Sequence, residues 1–324
     1  MENKDKKKPL IILTGPTAVG KTALSIALAK AVDGEIISAD SMQVYRGMDI
    51  GTAKITPLEM DGISHYLIDV LEPEESFDVT RFQQMAKQAM EKIYQKGKIP
   101  IVVGGTGFYI QALLYDIDFH EQQPDTAYRD SLWKLYEQHG PQYLHAMLEQ
   151  VDVQASQEIH YNNVKRVIRA LEYFHLTGQP ISKHNAQQRE RSSPYHYAYF
   201  VLNQDRQVLY DRIDQRIDQM LDAGLVSEVQ MLYERGCHKG MVSMEGLGYK
   251  EILSYLMGEC TLEEAVYILK RDTRHFAKRQ ITWFKREKEV IWLDKAVYPS
   301  ERDLLEKILL ILQQKEICNN HIIM

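Results

Sequence analysis

The stretch that most constrains this chain is residues 10–30, in which an apolar segment, a glycine-bearing loop and an alanine- and leucine-rich segment follow one another. The loop, GPTAVGKT at residues 15–22, matches G-x-x-x-x-G-K-[S/T] at every fixed position. Residues 10–13 predict a buried strand, and the segment that begins near Lys21 predicts a helix. A loop of this kind turns its backbone N–H groups toward an anion, and the helix dipole adds to the attraction. The stretch therefore predicts a P-loop, which binds a diphosphate or a triphosphate.

The residues of this loop differ in what they are expected to contribute. Gly15 and Gly20 permit backbone torsions that other residues avoid, so the loop is able to close around the phosphates. Lys21 places a point charge near the terminal phosphates, and the Thr22 hydroxyl is expected to ligate Mg²⁺, the predicted cofactor. The predicted diphosphate-binding residues in the loop are Gly15, Pro16, Thr17, Ala18, Val19, Gly20, Lys21 and Thr22. Because many enzymes share such a loop, it does not specify the reaction.

Two further segments predict strands that end in residues suited to a ligand site. Residues 35–39 predict a strand that ends at Asp40, and the ligands of open parallel sheets lie beyond the carboxyl ends of the strands. Asp40 is therefore expected to face the P-loop ligand, although capping a following helix is an equally common role for an aspartate here. The polar, glycine-containing segment that continues to Lys54 favours a binding loop. Residues 98–103 predict another strand, and Gly104 stands where a nucleotide hydrolase would carry a metal-binding Asp.

The order of the predicted elements indicates the fold. Residues 65–70 and 195–202 predict further strands, and helices alternate with the strands as in a parallel, doubly wound sheet. The predicted fold class is α/β. We expect a P-loop NTPase-like parallel sheet core of residues 1–115 and 195–324, with an inserted all-helical domain of residues 116–194.

Basic side chains cluster in the predicted insertion, whose helices are expected at residues 128–149 and 162–176. The second of these helices carries Lys165, Arg166 and Arg169, and the first and last of the three are one turn apart. Such a cluster is either a nucleic-acid contact or a solvated face, and the residues alone leave both open.

A pair of arginines lies on a predicted helix of the core. Arg212 and Arg216 are four residues apart, so they share one face of the helix. Either they clamp an anion, or they pair with Asp211 and Asp218 and only stabilise the helix.

A stripe of cations lies on a later helix. Lys270, Arg274 and Lys278 repeat every four residues on one helical face. The net charge of the whole chain is −6, so its overall charge gives no reason to expect a nucleic acid. The local stripe, in contrast, predicts binding to a phosphate backbone.

The composition excludes several classes of protein. The longest apolar runs are far below the ~20 residues of a membrane span, and residues 1–8 are charged without the apolar segment of a secretory signal. The three cysteines, Cys237, Cys260 and Cys318, contain no CxxC zinc motif and indicate no disulfide framework. We therefore expect a cytoplasmic protein with no membrane partner.

The motifs, taken in their order, resemble those of one family. They are GPTAVGKT (15–22), DSMQVYRGMDIGTAK (40–54), HYLID (65–69), VGGTGFY (103–109), NVKRVIRALE (163–172) and AKRQITWF (277–284). Over nearly its whole length the chain resembles the tRNA dimethylallyltransferases, also called tRNA isopentenyltransferases. Nothing after Trp283 has the Cys/His spacing of the zinc finger of some eukaryotic relatives, so the compact bacterial form is expected. Because no heptad pattern or exposed apolar stripe demands a partner, we expect a monomer. The resemblance implies transfer of a dimethylallyl group from dimethylallyl diphosphate to the exocyclic N6 amine of adenosine 37, beside the tRNA anticodon, with release of diphosphate.

The resemblance also implies roles for single residues. Asp40 matches the general base that accepts the proton of the amine, Arg216 matches a diphosphate-binding arginine, and Thr106 matches a position that contacts tRNA. The expected catalytic set consists of Asp40, Arg216, Lys21 and Thr22, the last of which is the Mg²⁺ ligand. The target adenine must leave its stack to reach them, so base flipping is expected. The residues expected to contact the anticodon stem-loop are Asp40, Ser41, Met42, Gln43, Thr106, Arg129, Lys165, Arg166, Arg169, Arg274, Lys278, Arg279 and Gln280.

Alternatives from other classes share the same loop. A P-loop phosphotransferase would use Lys21, Thr22 and Asp40 on ATP and a small acceptor, but the absence of an acidic residue after Val103 and the basic stripe both oppose it. A prenyltransferase acting on free adenine nucleotides would need neither the helical insertion nor the basic helix. An RNA-binding protein without catalytic activity would have no use for a P-loop beside a carboxylate.

Overall fold

The computed structural model describes residues 7–119 and 126–318. The chain divides into two compact units: the first runs to Leu114 and resumes at Pro194, and the second is Tyr115–Ser193. Most of the charged start of the chain, for which the sequence predicts no secretory signal, lies outside the described residues. Among the helices that are described, none has the length and apolar content to cross a membrane.

The first unit is built on a six-stranded sheet in which every neighbouring pair of strands is parallel. Its strands in chain order are β1 (Lys8–Thr14), β2 (Gly34–Ala39), β3 (His65–Tyr66), β4 (Ile99–Gly104), β5 (Tyr195–Asn203) and β6 (Val290–Asp294). Across the sheet their order is β3-β2-β4-β1-β5-β6. The connections between parallel neighbours are long enough to contain the helices, as a doubly wound sheet requires.

Helices occupy most of the remaining chain. The helices of the first unit before the insertion are α1 (Lys21–Ala31), α2 (Pro57–Met60), α3 (Val79–Gln95) and α4 (Gly107–Leu114). Those of the second unit are α5 (Thr126–His139), α6 (Pro141–Val151), α7 (Val153–Glu158), α8 (Val164–Thr177) and α9 (Ile181–Arg189). The first unit resumes with α10 (Arg206–Asp222), α11 (Leu225–Glu234), α12 (Tyr249–Leu256), α13 (Leu262–Phe284) and α14 (Glu301–Gln314).

The central strand β1 shows why the sheet forms. Its residues Leu10, Ile11, Ile12 and Leu13 are at most 1% exposed, because helices cover both faces of a doubly wound sheet. A strand buried on both faces is a continuous apolar run instead of an alternating one. The predicted fold class, a parallel α/β core with an inserted helical unit, is confirmed.

The carboxyl ends of β1, β2 and β4 meet at one edge of the sheet. Thr14 and Ala39, which end β1 and β2, both lie in register with Gly104 at the end of β4. The Thr14 hydroxyl donates to the Gly104 carbonyl at 2.6 Å. A Cβ on Gly104 would lie 2.2 Å from the Ala39 carbonyl oxygen, so only glycine allows the strands to end this closely. The segments that follow the three strands therefore begin side by side.

Two strands differ from the sequence prediction. The strand predicted over residues 65–70 ends at Tyr66, because Leu67 and Asp69 have left-handed torsions with φ of +64° and +53°. The edge strand β6 is not predicted from the sequence. It is five residues long and becomes a strand by pairing with β5, where Trp292 lies in register with Val201.

The second unit has an apolar core of its own. Its buried residues are Leu132, Leu144, Leu148, Ala155, Val167, Ile168, Ala170 and Leu171. The single helix predicted over residues 128–149 is two helices, α5 and α6, because Gly140 between them has a left-handed φ of +79° and Pro141 begins α6. A left-handed glycine followed by proline ends one helix and starts the next.

Glu287, just beyond α13, makes the stability of the protein depend on pH. Its carboxylate is half-buried and accepts a hydrogen bond from the Gln111 amide at 3.3 Å, and burial raises the pKa of Glu287 to about 7. Between the ordinary glutamate pKa and this value, the folded protein holds a proton that the unfolded chain has lost. The free energy of unfolding therefore falls as the pH rises through this window.

We expect the substitution Glu287→Gln to abolish this decrease in the free energy of unfolding with rising pH. The variant should be more stable than the parent at pH 8 by about 1–2 kcal/mol, a reduced value because the side chain is still partly exposed, and equal to it near pH 4.5. Urea unfolding at the two pH values measures the difference. Glu263→Gln, at an exposed position of α13, is the control. An equal stability difference at both pH values would show that Glu287 does not titrate in this window.

Candidate active site

The loop between β1 and α1 has the backbone geometry of an anion site. Gly15, Ala18 and Gly20 have left-handed torsions, with φ of +147°, +63° and +91°, and Gly20 caps α1. A Cβ on Gly15 would lie 2.6 Å from the Leu202 carbonyl oxygen, so the residue must be glycine for steric as well as torsional reasons. Alternation of torsions turns successive N–H groups into one concavity. The loop thus has the form that its sequence pattern predicts.

Lys21 folds back over this loop. Its ammonium donates to the carbonyl oxygens of Gly15 at 2.9 Å and of Pro16 at 2.8 Å. Burial, the largest cause, and the nearby guanidinium of Arg216 together lower the pKa of Lys21 to about 7, and the carboxylate of Asp40 partly opposes this shift. The structure thus brings these three charged side chains, far apart in the sequence, into one site.

Arg216 on α10 is a half-buried guanidinium that is not neutralised by a carboxylate. Among the described residues it has no ion-pair partner, and burial lowers its pKa. Arg216 therefore does not form an ion pair with Asp211 or Asp218, which the sequence left open as an alternative. Asp218 pairs with Lys270 at 2.6 Å, and Asp211 accepts from Gln207 at 2.9 Å. A half-buried cation without a partner favours an anionic ligand.

The geometry of Asp40 allows both roles that the sequence left open, capping the backbone that follows and contacting a ligand. Its Oδ1 accepts from the backbone N–H groups of Met42 at 2.8 Å and Gln43 at 3.2 Å, as a cap would. Its Oδ2 has no hydrogen-bond partner in the described part of the chain. One oxygen thus orients the carboxylate, and the other is available to a substrate.

The other predicted residues of this edge are half-buried around Asp40. Gln43 donates to the Thr52 carbonyl at 3.2 Å, and the backbone N–H of Thr106 donates to the Ala39 carbonyl at 3.3 Å. Ser41 and Met42 are also half-buried.

The cationic stripe of α13 is less free than its sequence suggests. Arg274 pairs with both oxygens of Asp214, at 2.6 and 2.7 Å, and Lys270 is paired as described above. Two of the three positions of the stripe are therefore paired within the protein, because α10 supplies carboxylates opposite α13. Lys278 and Arg279 are exposed. An open cavity of about 440 Å³ beside them is lined by His275, Lys278, Arg279, Thr282, Trp283 and Arg286.

In the second unit, Arg129 is engaged by a buried carboxylate. Its guanidinium donates to both oxygens of Glu172, at 2.8 and 2.9 Å, so it holds α5 against α8. Lys165, Arg166 and Arg169 are exposed on α8. The roles of these residues, and of Arg274, in binding RNA stay predictions.

A residue that sequence analysis missed is the buried Glu228 of α11. Its carboxylate accepts from the backbone N–H groups of Asp49 and Ile50 at 2.9 and 2.7 Å, from that of Gly51 at 3.0 Å, and from the Tyr249 hydroxyl at 2.6 Å. This one side chain therefore fixes the segment that follows Asp40. A signal exists in the sequence: Leu225, Val229 and Leu232 form the buried face of α11, and an acidic residue at position 228 falls on that face.

Gln280, predicted to contact tRNA, lies inside the first unit. Its side chain is 6% exposed, and its amide bonds to the backbone at both ends: it accepts from the Thr17 N–H at 2.9 Å and donates to the Gly105 carbonyl at 2.9 Å. Both ends of the amide are therefore engaged by backbone groups of the protein, and its role in binding RNA stays a prediction.

The residues present fit a magnesium ion bound together with a diphosphate. Among the described residues, no group of three or more His, Cys, Asp or Glu side chains forms a metal site. Mg²⁺ in phosphate sites instead takes one or two protein oxygens and completes its shell with phosphates and water. The exposed Thr22 hydroxyl at the start of α1 is an oxygen of this kind.

Fold and loop together define a P-loop α/β protein with a helical insertion, and comparisons with known proteins specify it further. The family model described as IPP transferase matches residues 43–287. A tRNA dimethylallyltransferase of Lachnoclostridium phytofermentans is 64% identical over 310 residues, which cover 96% of this chain and 99% of that protein. The crystal structure of the full-length tRNA isopentenylpyrophosphate transferase of Bacillus halodurans is 44% identical with a TM-score of 0.72, covering 96% of this chain and 98% of that one.

A more distant structure agrees. Crystallographic snapshots of a eukaryotic dimethylallyltransferase acting on tRNA match with a TM-score of 0.74 at 31% identity, over 89% of this chain and 74% of that one. The chain therefore belongs to the tRNA dimethylallyltransferase family. The resemblance stated from the motifs is confirmed.

Proposed function

We propose that this protein transfers the dimethylallyl group of dimethylallyl diphosphate to N6 of adenosine 37 in tRNA, forming N6-isopentenyladenosine and releasing diphosphate. The observation that carries the proposal is one site that contains a P-loop, Arg216 and Asp40. Within residues 7–119 and 126–318, Arg216 has no ion-pair partner and Oδ2 of Asp40 has no hydrogen-bond partner. The P-loop and Arg216 bind a diphosphate, and Asp40 accepts a proton from a nucleophile. A phosphate-binding loop alone would not require such a carboxylate.

The reaction follows from these groups. The bond between the allylic carbon and the diphosphate oxygen breaks, and that oxygen keeps the electron pair. Lys21 and Arg216 offset the negative charge that develops on the leaving group, which is where fixed cations accelerate a reaction most. The N6 lone pair forms the new C–N bond, and Oδ2 of Asp40 takes the N6 proton. The bonds from Met42 and Gln43 to Oδ1 keep Oδ2 directed to the substrate.

A magnesium ion would be held by Thr22 and by the diphosphate itself. When bound, it would neutralise part of the charge on the leaving diphosphate. The residues of the protein would still orient the donor and move the proton.

The RNA would be gripped through its backbone and read at one base. Lys165, Arg166 and Arg169 on α8, with Lys278 and Arg279 on α13, are exposed cations that suit phosphates. We place Ser41, Met42, Gln43 and Thr106 around the flipped adenine because they lie at the same edge of the sheet as Asp40. The three cysteines are free, as is usual for a cytoplasmic protein, and we propose that it acts there as a monomer.

The test is incubation of the pure protein with Mg²⁺, dimethylallyl diphosphate and an unmodified anticodon stem-loop with an A-rich loop, followed by mass measurement of the RNA. The expected result is one dimethylallyl adduct on the RNA, none on free AMP and none without Mg²⁺. Transfer to AMP as well would indicate a prenyltransferase of free nucleotides. No adduct, together with phosphate transfer from ATP to a small acceptor, would overturn the proposal in favour of a phosphotransferase.

Glu228→Gln is expected to impair the transfer by loosening the segment behind Asp40. The amide replaces one accepting oxygen by a donor, so at least one buried N–H loses its partner, at a cost of about 1–3 kcal/mol. We expect kcat/KM for the stem-loop to fall about tenfold, with little change in diphosphate affinity, because the hydrogen bonds of Glu228 go to residues 49–51 and to Tyr249. The matched control is Glu234→Gln on the exposed face of α11. An unchanged kcat/KM would show that this segment does not position the substrate.

A further inference from the structure

The amide of Gln280 joins three parts of the first unit that are distant in sequence. Through Oε1 it holds the N–H of Thr17 in the P-loop, 263 residues earlier in the chain. Through Nε2 it holds the carbonyl of Gly105, just after β4, 175 residues earlier. The side chain comes from α13, near the exposed cations already described. Gln280 therefore connects the diphosphate loop, the turn that leads to Thr106 and the basic helix.

Gly105 is shaped to receive this amide. A Cβ at Gly105 would lie 2.2 Å from Nε2 of Gln280, which no ordinary contact allows. Gly105 does not have a left-handed φ, so its backbone does not require glycine for torsional reasons. The requirement is the space for the glutamine. This Cβ position is also only 3.6 Å from the Gly15 carbonyl oxygen, so the amide fills the contact between the turn and the P-loop.

The chemistry of the contact calls for a glutamine. One end must accept from an N–H, and the other must donate to a carbonyl, and a primary amide does both on one planar group. A glutamate would accept from Thr17 but would place a second oxygen against the Gly105 carbonyl. A methionine would fill the space and make neither hydrogen bond.

We propose that Gln280 is a positioning residue for the diphosphate site: it fixes the Thr17 peptide group, and with it the N–H groups of the P-loop, before the donor binds. This proposal rests on the proposed function, in which that loop holds the diphosphate of the prenyl donor. A loop already held in its binding geometry does not have to be ordered by the ligand, so affinity is gained. Gln280 thus affects binding of the donor through the P-loop, whereas Arg279, its neighbour on the same helix, contacts the RNA.

The test separates the two ligands. Binding of inorganic diphosphate with Mg²⁺ is measured by calorimetry without RNA, and binding of the unmodified stem-loop is measured without donor, for the full-length parent, Gln280→Met and Arg279→Gln. For Gln280→Met we expect about tenfold weaker diphosphate binding, stem-loop binding within about twofold of the parent, and an unfolding midpoint lower by only a few degrees, roughly the cost of two lost hydrogen bonds. For Arg279→Gln we expect weaker stem-loop binding, with diphosphate binding close to that of the parent.

A second variant reaches the same contact from the other side. Gly105→Ala places a methyl group where the amide lies and should weaken diphosphate binding to a similar extent. Because both changes break one contact, the effect of the double variant should not exceed that of the stronger single variant.

Three results would overturn the proposal. Weaker stem-loop binding with unchanged diphosphate binding would make Gln280 an RNA contact. Loss of both affinities with a lower unfolding midpoint would assign it a merely structural role. Unchanged binding of both ligands would leave the contact without an effect on the site. Failure of the proposed function is distinguishable, because the parent would then bind diphosphate without transferring a dimethylallyl group to RNA.

Discussion

Asp40→Asn is expected to lower the rate of dimethylallyl transfer to the stem-loop by about 10²- to 10⁴-fold, the usual contribution of a general base. Asparagine keeps an Oδ1 that accepts from the N–H groups of Met42 and Gln43, so the loop should keep its shape. What it loses is the second carboxylate oxygen, which has no partner in the described protein and is free to take the N6 proton. The decrease should therefore appear in kcat, with diphosphate binding changed little.

The measurement is single-turnover transfer with saturating donor and RNA. Asp33→Asn removes an exposed carboxylate at the other end of the strand β2 that leads to Asp40, and it is the control. Its rate should match that of the parent. If well-folded Asp40→Asn transfers within about threefold of the parent, Asp40 is not the general base, and its role is only to cap the following turn.

Arg216→Gln should have the second large effect. The guanidinium is half-buried beside Lys21 and has no carboxylate partner among the described residues, so its charge is available to the leaving diphosphate. Loss of a fixed positive charge at a leaving group costs about 10²- to 10³-fold in rate. Diphosphate binding should weaken as well, because the same cation attracts the free ligand. Arg216→Lys should recover only part of the loss, since an ammonium makes a single point contact where the guanidinium makes two.

The control for this prediction lies one turn away on the same helix. Arg212→Gln removes an exposed arginine from α10 and should leave transfer and diphosphate binding near the values of the parent. Equal losses in the two variants would indicate a general effect of charge on RNA binding. Retention of the full rate in Arg216→Gln would show that the P-loop alone handles the diphosphate.

Much of the fold could be predicted from the sequence, because the patterns involved are local. The apolar run of β1, the glycines of the loop and the start of α1 are adjacent in the chain, and neighbouring residues restrict one another's torsions. The alternation of strands and helices then leaves a parallel sheet as the fold class. The elements that escaped prediction depend on partners elsewhere: β6 exists because it pairs with β5, and β3 stops where Leu67 takes a left-handed torsion.

In the candidate site, too, the features next to a strand could be predicted and the contacts between helices could not. The P-loop and Asp40 follow strands directly, so the rule that ligands lie at the carboxyl edge of a parallel sheet was enough to single them out. The charge stripe of α13 was visible in the sequence, but its pairing with α10 was not. Arg274 and Asp214 are 60 residues apart, and no periodicity relates residues on two different helices.

By itself, the sequence determined the P-loop, the α/β class and the family, because each of these is encoded in short segments or in their order. Only the tertiary structure decided which charges are neutralised and which are free. It left Arg216 without a carboxylate partner among the described residues, and it engaged Lys270 and Arg274 with α10. It also decided that Glu228 and Gln280 serve the loops of the site across separations of 179 and 263 residues. Hydrogen bonds between residues so far apart in the sequence depend on where the folded elements meet. Local torsions and periodicity do not specify this.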